Sequence, residues 1–234
     1  MTGLGQLAWT AVPHEALLVV PVGSVEQHGP HLPLDTDTRV ATAAAQALVD
    51  ATPGALLGPG VAYGASGEHE SFAGTVSLGS EALHLVLVEL GRSACRWAAR
   101  LLFVSGHGGN AATMIRAVPL LRHEGRDAAW WPCTFRTPTH TPDAHAGRTE
   151  TSLLLHLDRA AVCTDRAAPG NTNGITDLMP ALRAGGVQVV SPNGVLGDPA
   201  GASAAEGAAL LAGLVQRMAA ATRRWDPAEG GVLR

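Results

Sequence analysis

ALLVVPVG, residues 16–23, is a short apolar run that ends in glycine and opens directly onto SVEQHGPHLPLDTDT, residues 24–38. A run this short and this uniformly apolar predicts a strand buried on both faces, as in a parallel sheet. LLFVS, residues 101–105, repeats the pattern and runs into Gly106. Helices are expected over 38–51, 80–99 and 110–124, with Gly125 closing the third and Pro119 kinking or restarting it. Further along the chain, 127–134 reads as a strand, 148–157 as a helix, 176–184 as a shorter helix stopped by Gly185 and Gly186, and 187–190 as the last strand. A final helix should start at Ser203, where Ser203 and Glu206 form a capping box, and run to about Trp225 with a frayed tail after Asp226. Strands alternating with helices imply one α/β domain over residues 1–234, with a mostly parallel central sheet flanked by helices in three layers. Ligands gather outside the carboxyl ends of the strands in such sheets.

The composition removes several kinds of chemistry. All 16 basic residues among the 234 are arginine, so a Schiff-base amine, a Walker-type phosphate loop and a Ser–Lys hydrolase are excluded. Cys95, Cys133 and Cys163 lack CxxC spacing and are odd in number, against a disulfide framework or a thiolate zinc site; they read as small core hydrophobes. A net charge of −4 with dispersed arginines gives no basic stripe for a phosphate backbone, so nucleic acid is not expected as a partner. No apolar run approaches the roughly 20 residues of a membrane span, and MTGLGQLAWTAVPHEA has no basic segment followed by an apolar one, so no membrane association and a cytoplasmic location are expected.

What the chain does have is 10 histidines among 20 acidic residues, concentrated at the ends of the expected strands. In an extended backbone alternate side chains point the same way, so Glu26 and His28 can face one point. Gly29, Pro30 and Pro33 then turn the chain so that Asp37 returns to it. Mixed carboxylate and imidazole donors suit Zn²⁺, Fe²⁺ or Mn²⁺ better than Ca²⁺, which prefers oxygen alone. His107 stands in SGHGGN, residues 105–110, which matches neither common phosphate-loop pattern, and the flanking glycines leave its imidazole uncrowded. Asn110 is placed to cap the helix that follows. A third cluster, DAHAGRTETS at 143–152, holds His145 and Glu150, the latter also suited to a helix N-terminus.

These stretches resemble the creatininase family of metal-dependent amidohydrolases. The motifs are E-x-H-G-x-H-L-P-x-x-x-D from Glu26 to Asp37, G-H-G-G-N from Gly106 to Asn110 and H-A-G-x-x-E-T-S from His145 to Ser152, together with GEHESFAGT at 67–75 and NGVLGDP at 193–199. The resemblance implies a creatininase-like fold and two divalent metal ions per subunit, Zn or Fe before Mn. Asp37 would bridge them, Glu26 and His107 would complete one site, and His28 and Glu150 the other. It also implies His145 as the catalytic proton donor, His69, Gly74 and Thr75 at the substrate, and His31, Asp35 and Asn110 behind the ligands. One departure stands out: the creatinine-hydrolysing branch has an acidic ligand where this chain has Gly109, which makes creatinine a poorer substrate expectation. The wording is most similar to a branch that trims a modified, ribosomally synthesised precursor peptide beyond its C-terminal Val–Tyr cross-link, releasing a lactam-containing product. A homo-oligomer is implied as well. The alternatives are a hydrolase of a small cyclic amide or formamide, and a metal-binding protein without turnover. His14, His84, His123, His140 and His156 lie outside the motifs and read as structural, and Trp130 and Trp131 read as core.

Overall fold

The computed structural model describes residues 3–137 and 142–234. Four parallel strands form the sheet, in the order β2 (Ala55–Leu57), β1 (Leu17–Val22), β3 (Arg100–Ser105) and β4 (Ala128–Pro132). Period-two alternation sorts their side chains between two cores. Leu18, Val20, Val22, Leu101 and Phe103 face α2 (Gly79–Ala94) and α3 (Ala111–His123), while Val19, Leu102 and Val104 face α1 (Thr36–Asp50) and α7 (Ala204–Arg224). The helix α4 (Arg148–Leu157) packs along α7 and shares a third cluster with it, including Leu153, Leu154 and Leu210.

This layering decides where a crevice opens. The helix after β1 covers one face of the sheet and the helix after β3 covers the other, so the chain diverges between two adjacent strands. Such a divergence is the topological switch point at which open α/β sheets bind ligands. Val22 and Ser105 are in register, and Gly106 N–H donates to Val22 O at 2.9 Å, so the turns after both strands start level.

Several sequence expectations need correction. Residues 187–190 form a short helical turn, α6 (Val187–Val190), after α5 (Ile175–Gly185), and not a strand. Valine-rich composition predisposes to a strand only where a sheet edge receives it, and here the segment packs on α5 and on the 3-10 turn Gly67–His69. The strand β2, three residues long, carries too little pattern to be read in advance. The second helix stops at Ala94, five residues before the expected end, and α3 continues through Pro119 without interruption. The tail after Asp226 is docked and not frayed: Val232 bridges Trp130 at the outer edge of β4, and Leu233 is buried. Ser203 does cap α7, accepting from Glu206 N–H, but the Glu206 carboxylate accepts from Arg148 and Ser152. Cys95 and Cys133 are half-buried as expected for core packing, whereas Cys163 is exposed. Trp130 belongs to the core.

Candidate metal centre

The turn after β1 delivers Glu26 and His28, α1 delivers Asp37 from its first turn, and the turn after β3 delivers His107. Close backbone packing makes this convergence possible. A Cβ on Gly106 would stand 2.2 Å from Asp37 O, so only glycine lets the β3 turn pass beside the helix that carries Asp37. Two groups of donors result, each with ligand atoms within 4.8 Å of one another: Glu26, Asp37 and His107, and His28, Asp37 and Glu150. Asp37 is common to both and divides its oxygens between them. Its Oδ1 lies 3.2 Å from His28 Nε2, and its Oδ2 lies 3.3 Å from His107 Nδ1 and accepts from Ser24 Oγ at 2.5 Å. Glu150 Oε2 is 3.9 Å from His28 Nε2 and also accepts from Ala146 N–H at 2.6 Å, so it serves the helix start and the cluster together.

Backbone carbonyls select which imidazole nitrogen faces the centre. His28 Nδ1 donates to Glu26 O at 3.1 Å, which leaves Nε2 for the cluster. His107 Nε2 donates to Ala65 O at 3.1 Å, which leaves Nδ1. Metal-binding histidines are oriented in this way by the partner of the second nitrogen. His145 is held by the same device: its Nε2 donates to Gln27 O at 2.7 Å, and its Nδ1 stands 3.8 Å from Glu26 Oε1. That nitrogen is already a donor, so the two hydrogens of the Gln27 amide go to His69 Nδ1 at 2.9 Å and Gly194 O at 3.0 Å. His69 then carries its hydrogen on Nε2, which stands 3.3 Å from Glu26 Oε1 without making a hydrogen bond to it. One glutamine therefore sets the faces of two imidazoles.

The electrostatics are those of a buried, charge-dense cluster. Burial and the neighbouring Asp37 raise the pKa of Glu26. Burial also acts to raise Asp37, but the charge of His28 and the contacts of His107 outweigh it and hold Asp37 well below the usual carboxylate range. For His28, burial alone would favour the neutral ring, yet Asp37, then Glu150 and Glu26, push its pKa up to about 10. His107 is raised in the same manner, with Glu26 and Asp37 outweighing burial. His69 and His145 go the other way: burial, reinforced by neighbouring imidazoles, lowers them to about 2 and about 4.

The structure thus brings together Glu26, His28, Asp37, His107, Glu150 and His145. It also forms a third donor group of Glu26, His28 and His145. His69 lines the adjoining cavity, whereas Gly74 and Thr75 do not; Thr75 Oγ1 accepts from Gln27 N–H at 3.1 Å and so braces the ligand turn. His31 donates or accepts through Nε2 at Thr151 Oγ1, 2.9 Å away, next to Glu150 in sequence. Asp35 is turned away from the cluster and pairs with Arg39 at 2.7 Å. Asn110 makes no side-chain cap, because its amide is used across the crevice, accepting from Ala65 N–H at 2.9 Å and donating to Gly23 O at 3.0 Å. Sequence reading passed over Ser24, Gln27 and Glu68. Ser24 could have been found, since it precedes Glu26 by the same two-residue step that separates Glu26 from His28. His14, His84, His123 and His156 are in none of the donor groups, and His140 lies outside the described residues.

The profile of the creatininase family, described as creatinine amidohydrolase, matches residues 6–222. The chain belongs to the creatininase family. A mycofactocin precursor peptide peptidase of Mycolicibacterium smegmatis is 54% identical over 222 residues, 93% of this chain and 88% of that protein. One from Mycobacterium tuberculosis is 53% identical over 225 residues, covering 92% and 88%. A creatinine amidohydrolase of Pseudomonas putida is 28% identical, covering 96% of this chain and 97% of its own. Among solved structures, one described as "Creatininase Mn" aligns with a TM-score of 0.81 at 28% identity, over 97% of this chain and 99% of that one. A mutant creatininase of "Zn-Zn type" aligns at 0.79 with 26% identity, over 96% and 98%. The donors in this creatininase-family chain fit a cation on their own terms: both oxygens of the fully buried Glu26 lack a hydrogen-bond partner among the described residues. A buried carboxylate in that condition is costly unless a positive charge stands against it.

Proposed function

We propose that the protein is a metal-dependent peptidase that cleaves the modified mycofactocin precursor peptide near its C-terminus and releases the cross-linked Val–Tyr-derived lactam product. The observation that supports the metal dependence is Glu26, whose buried carboxylate oxygens make no hydrogen bond among the described residues and face His107 Nδ1 at 3.1 Å. Glu26, Asp37 and His107 would hold one divalent ion, and His28, Asp37 and Glu150 a second. Such a pair supplies Lewis acidity and lowers the pKa of water, which makes a protein nucleophile unnecessary.

The chain's own groups divide the remaining work. With Nε2 engaged by Gln27 O, His145 has Nδ1 available, and burial keeps that nitrogen unprotonated at neutral pH. It is suited to take a proton from the attacking water and return it to the departing amine nitrogen. The peptide reading is supported by 54% identity to a peptidase of that name against 28% to a creatinine amidohydrolase. It is also supported by a cavity of about 810 Å³, walled on one side by Met179, Leu182 and Arg183 of α5, which has room for a peptide segment.

The test is reconstitution of chelator-stripped protein with Zn²⁺, Fe²⁺ or Mn²⁺, followed by incubation with the cross-linked precursor and mass spectrometry. Cleavage is expected only with metal, and a precursor left intact under every metal would sink the reading. His145→Ala should retain its metal by elemental analysis and lose most turnover. Loss of metal from that variant would instead make His145 a ligand.

A further inference from the structure

Gly109 and Glu68 compete for one small volume. A Cβ on Gly109 would stand 2.3 Å from His107 Nε2, 2.7 Å from Ala65 O and 2.8 Å from Glu68 Oε1. The missing side chain at position 109 is therefore the condition under which the Glu68 carboxylate can sit beside the centre. His107 does not need it there. The Nε2–H of that ring is satisfied by Ala65 O at 3.1 Å, Glu68 Oε1 stands further off at 3.5 Å, and the nitrogen facing Glu26 and Asp37 is on the opposite edge of the ring.

Glu68 is also poorly supplied with partners of its own. No arginine pairs with it among the described residues, and its side chain, 35% exposed, lines the cavity alongside His69 and His145. An ionised carboxylate offers about four acceptor sites. The side chain that carries them lines the space a substrate would fill.

We propose that Glu68 is a substrate-binding residue, holding an N–H or ammonium group of the peptide that enters the cavity. The inference rests on the peptidase reading and adds to it a contact that lies off the metal-binding set. Gly109 is its enabling partner, since a side chain there would displace the carboxylate.

The experiment is steady-state cleavage of the cross-linked precursor by metal-loaded wild type, Glu68→Ala and Glu68→Gln, with metal content measured in each. Loss of a charge-assisted contact made equally in the bound and transition states should raise KM about tenfold or more in Glu68→Ala. Its kcat should stay within about twofold and its metal content should not change. Partial recovery of KM in Glu68→Gln assigns a neutral N–H donor, and no recovery assigns an ammonium group. Unchanged KM in Glu68→Ala overturns the proposal, as does a fall in kcat or metal content at constant KM, which would mean that Glu68 acts through His107. Wild-type protein that leaves the precursor uncut removes the peptidase reading itself, an outcome distinct from a wild type that cuts and variants that match it.

Discussion

Gln27 shows how much of the centre depends on a side chain that binds no metal. Its side-chain amide donates to His69 and to Gly194 O, while its backbone carbonyl holds His145, so that removing the side-chain amide leaves the His69 ring free to take the wrong tautomer. Gln27→Leu, which keeps the volume, should lower kcat/KM about 10- to 100-fold, as is usual for the partners that orient metal-site histidines. A steady-state assay on protein of verified metal content checks this, and wild-type kinetics would show that packing alone orients the rings. The same scale fixes a pH dependence. The pKa of His28 is pushed up to about 10 and that of His107 is raised in the same direction by Glu26 and Asp37, so a metal must compete with protons for these rings. Metal binding should release protons, and affinity should rise with pH, by about 10- to 100-fold per unit for one or two protons released. Zinc titrations at pH 6, 7 and 8 measure the slope, and a flat profile would contradict the assigned donors.

At the level of elements, the turn after β3 is the tightest joint. Gly106→Ala forces a Cβ to within 2.2 Å of the Asp37 carbonyl oxygen, a backbone atom that cannot swing aside as a flexible side chain does. The variant should be destabilised by about 1–3 kcal/mol or more, read as a lower urea midpoint, and should bind metal weakly because Asp37 moves. This joint also explains what the sequence could reveal. The strands β1 and β3 were readable because each is a short apolar run ending in glycine, and Glu26, His28 and Asp37 were readable because a two-residue step and a proline-rich turn are local patterns. Asp35 and Asn110 misled for different reasons: a partner only four positions on claims the first, and backbone far along the chain claims the second. Arg39 takes Asp35, and the Ala65 and Gly23 backbones take Asn110. Gln27 and Glu68 were invisible because their partners lie 41 or more positions away, at His69 for the first and at Gly109 for the second in a steric relation only coordinates reveal. Residues 187–190 went wrong because propensity does not say whether a sheet has a place for another strand.

For the whole molecule, the switch point between β1 and β3 explains why one crevice collects donors from turns far apart in sequence. Both turns leave the sheet at the same level and depart to opposite faces, so the space between them is lined but not filled. Chemistry and recognition are then separable: the donors stand on the turns after β1 and β3 and in the first turns of α1 and α4, while Met179, Leu182 and Arg183 stand on α5. The opposite end of the architecture is equally exposed to disruption. Beyond β4 no further strand follows in the sheet among the described residues, and its outer edge is instead taken by residues 231–233, with Trp130 N–H donating to Gly231 O at 3.0 Å and Leu233 N–H donating to Trp130 O at 3.1 Å. A variant shortened by residues 227–234 should keep the metal donors intact and yet elute as multimers in size-exclusion chromatography, because an unpaired strand edge is a template for other chains. Elution identical to that of the full-length chain would refute this. On that expectation residues 227–234 shield the sheet from edge-to-edge association, and where a crystallographer would first trim an apparent loose end, the solubility of the preparation is what would be cut away.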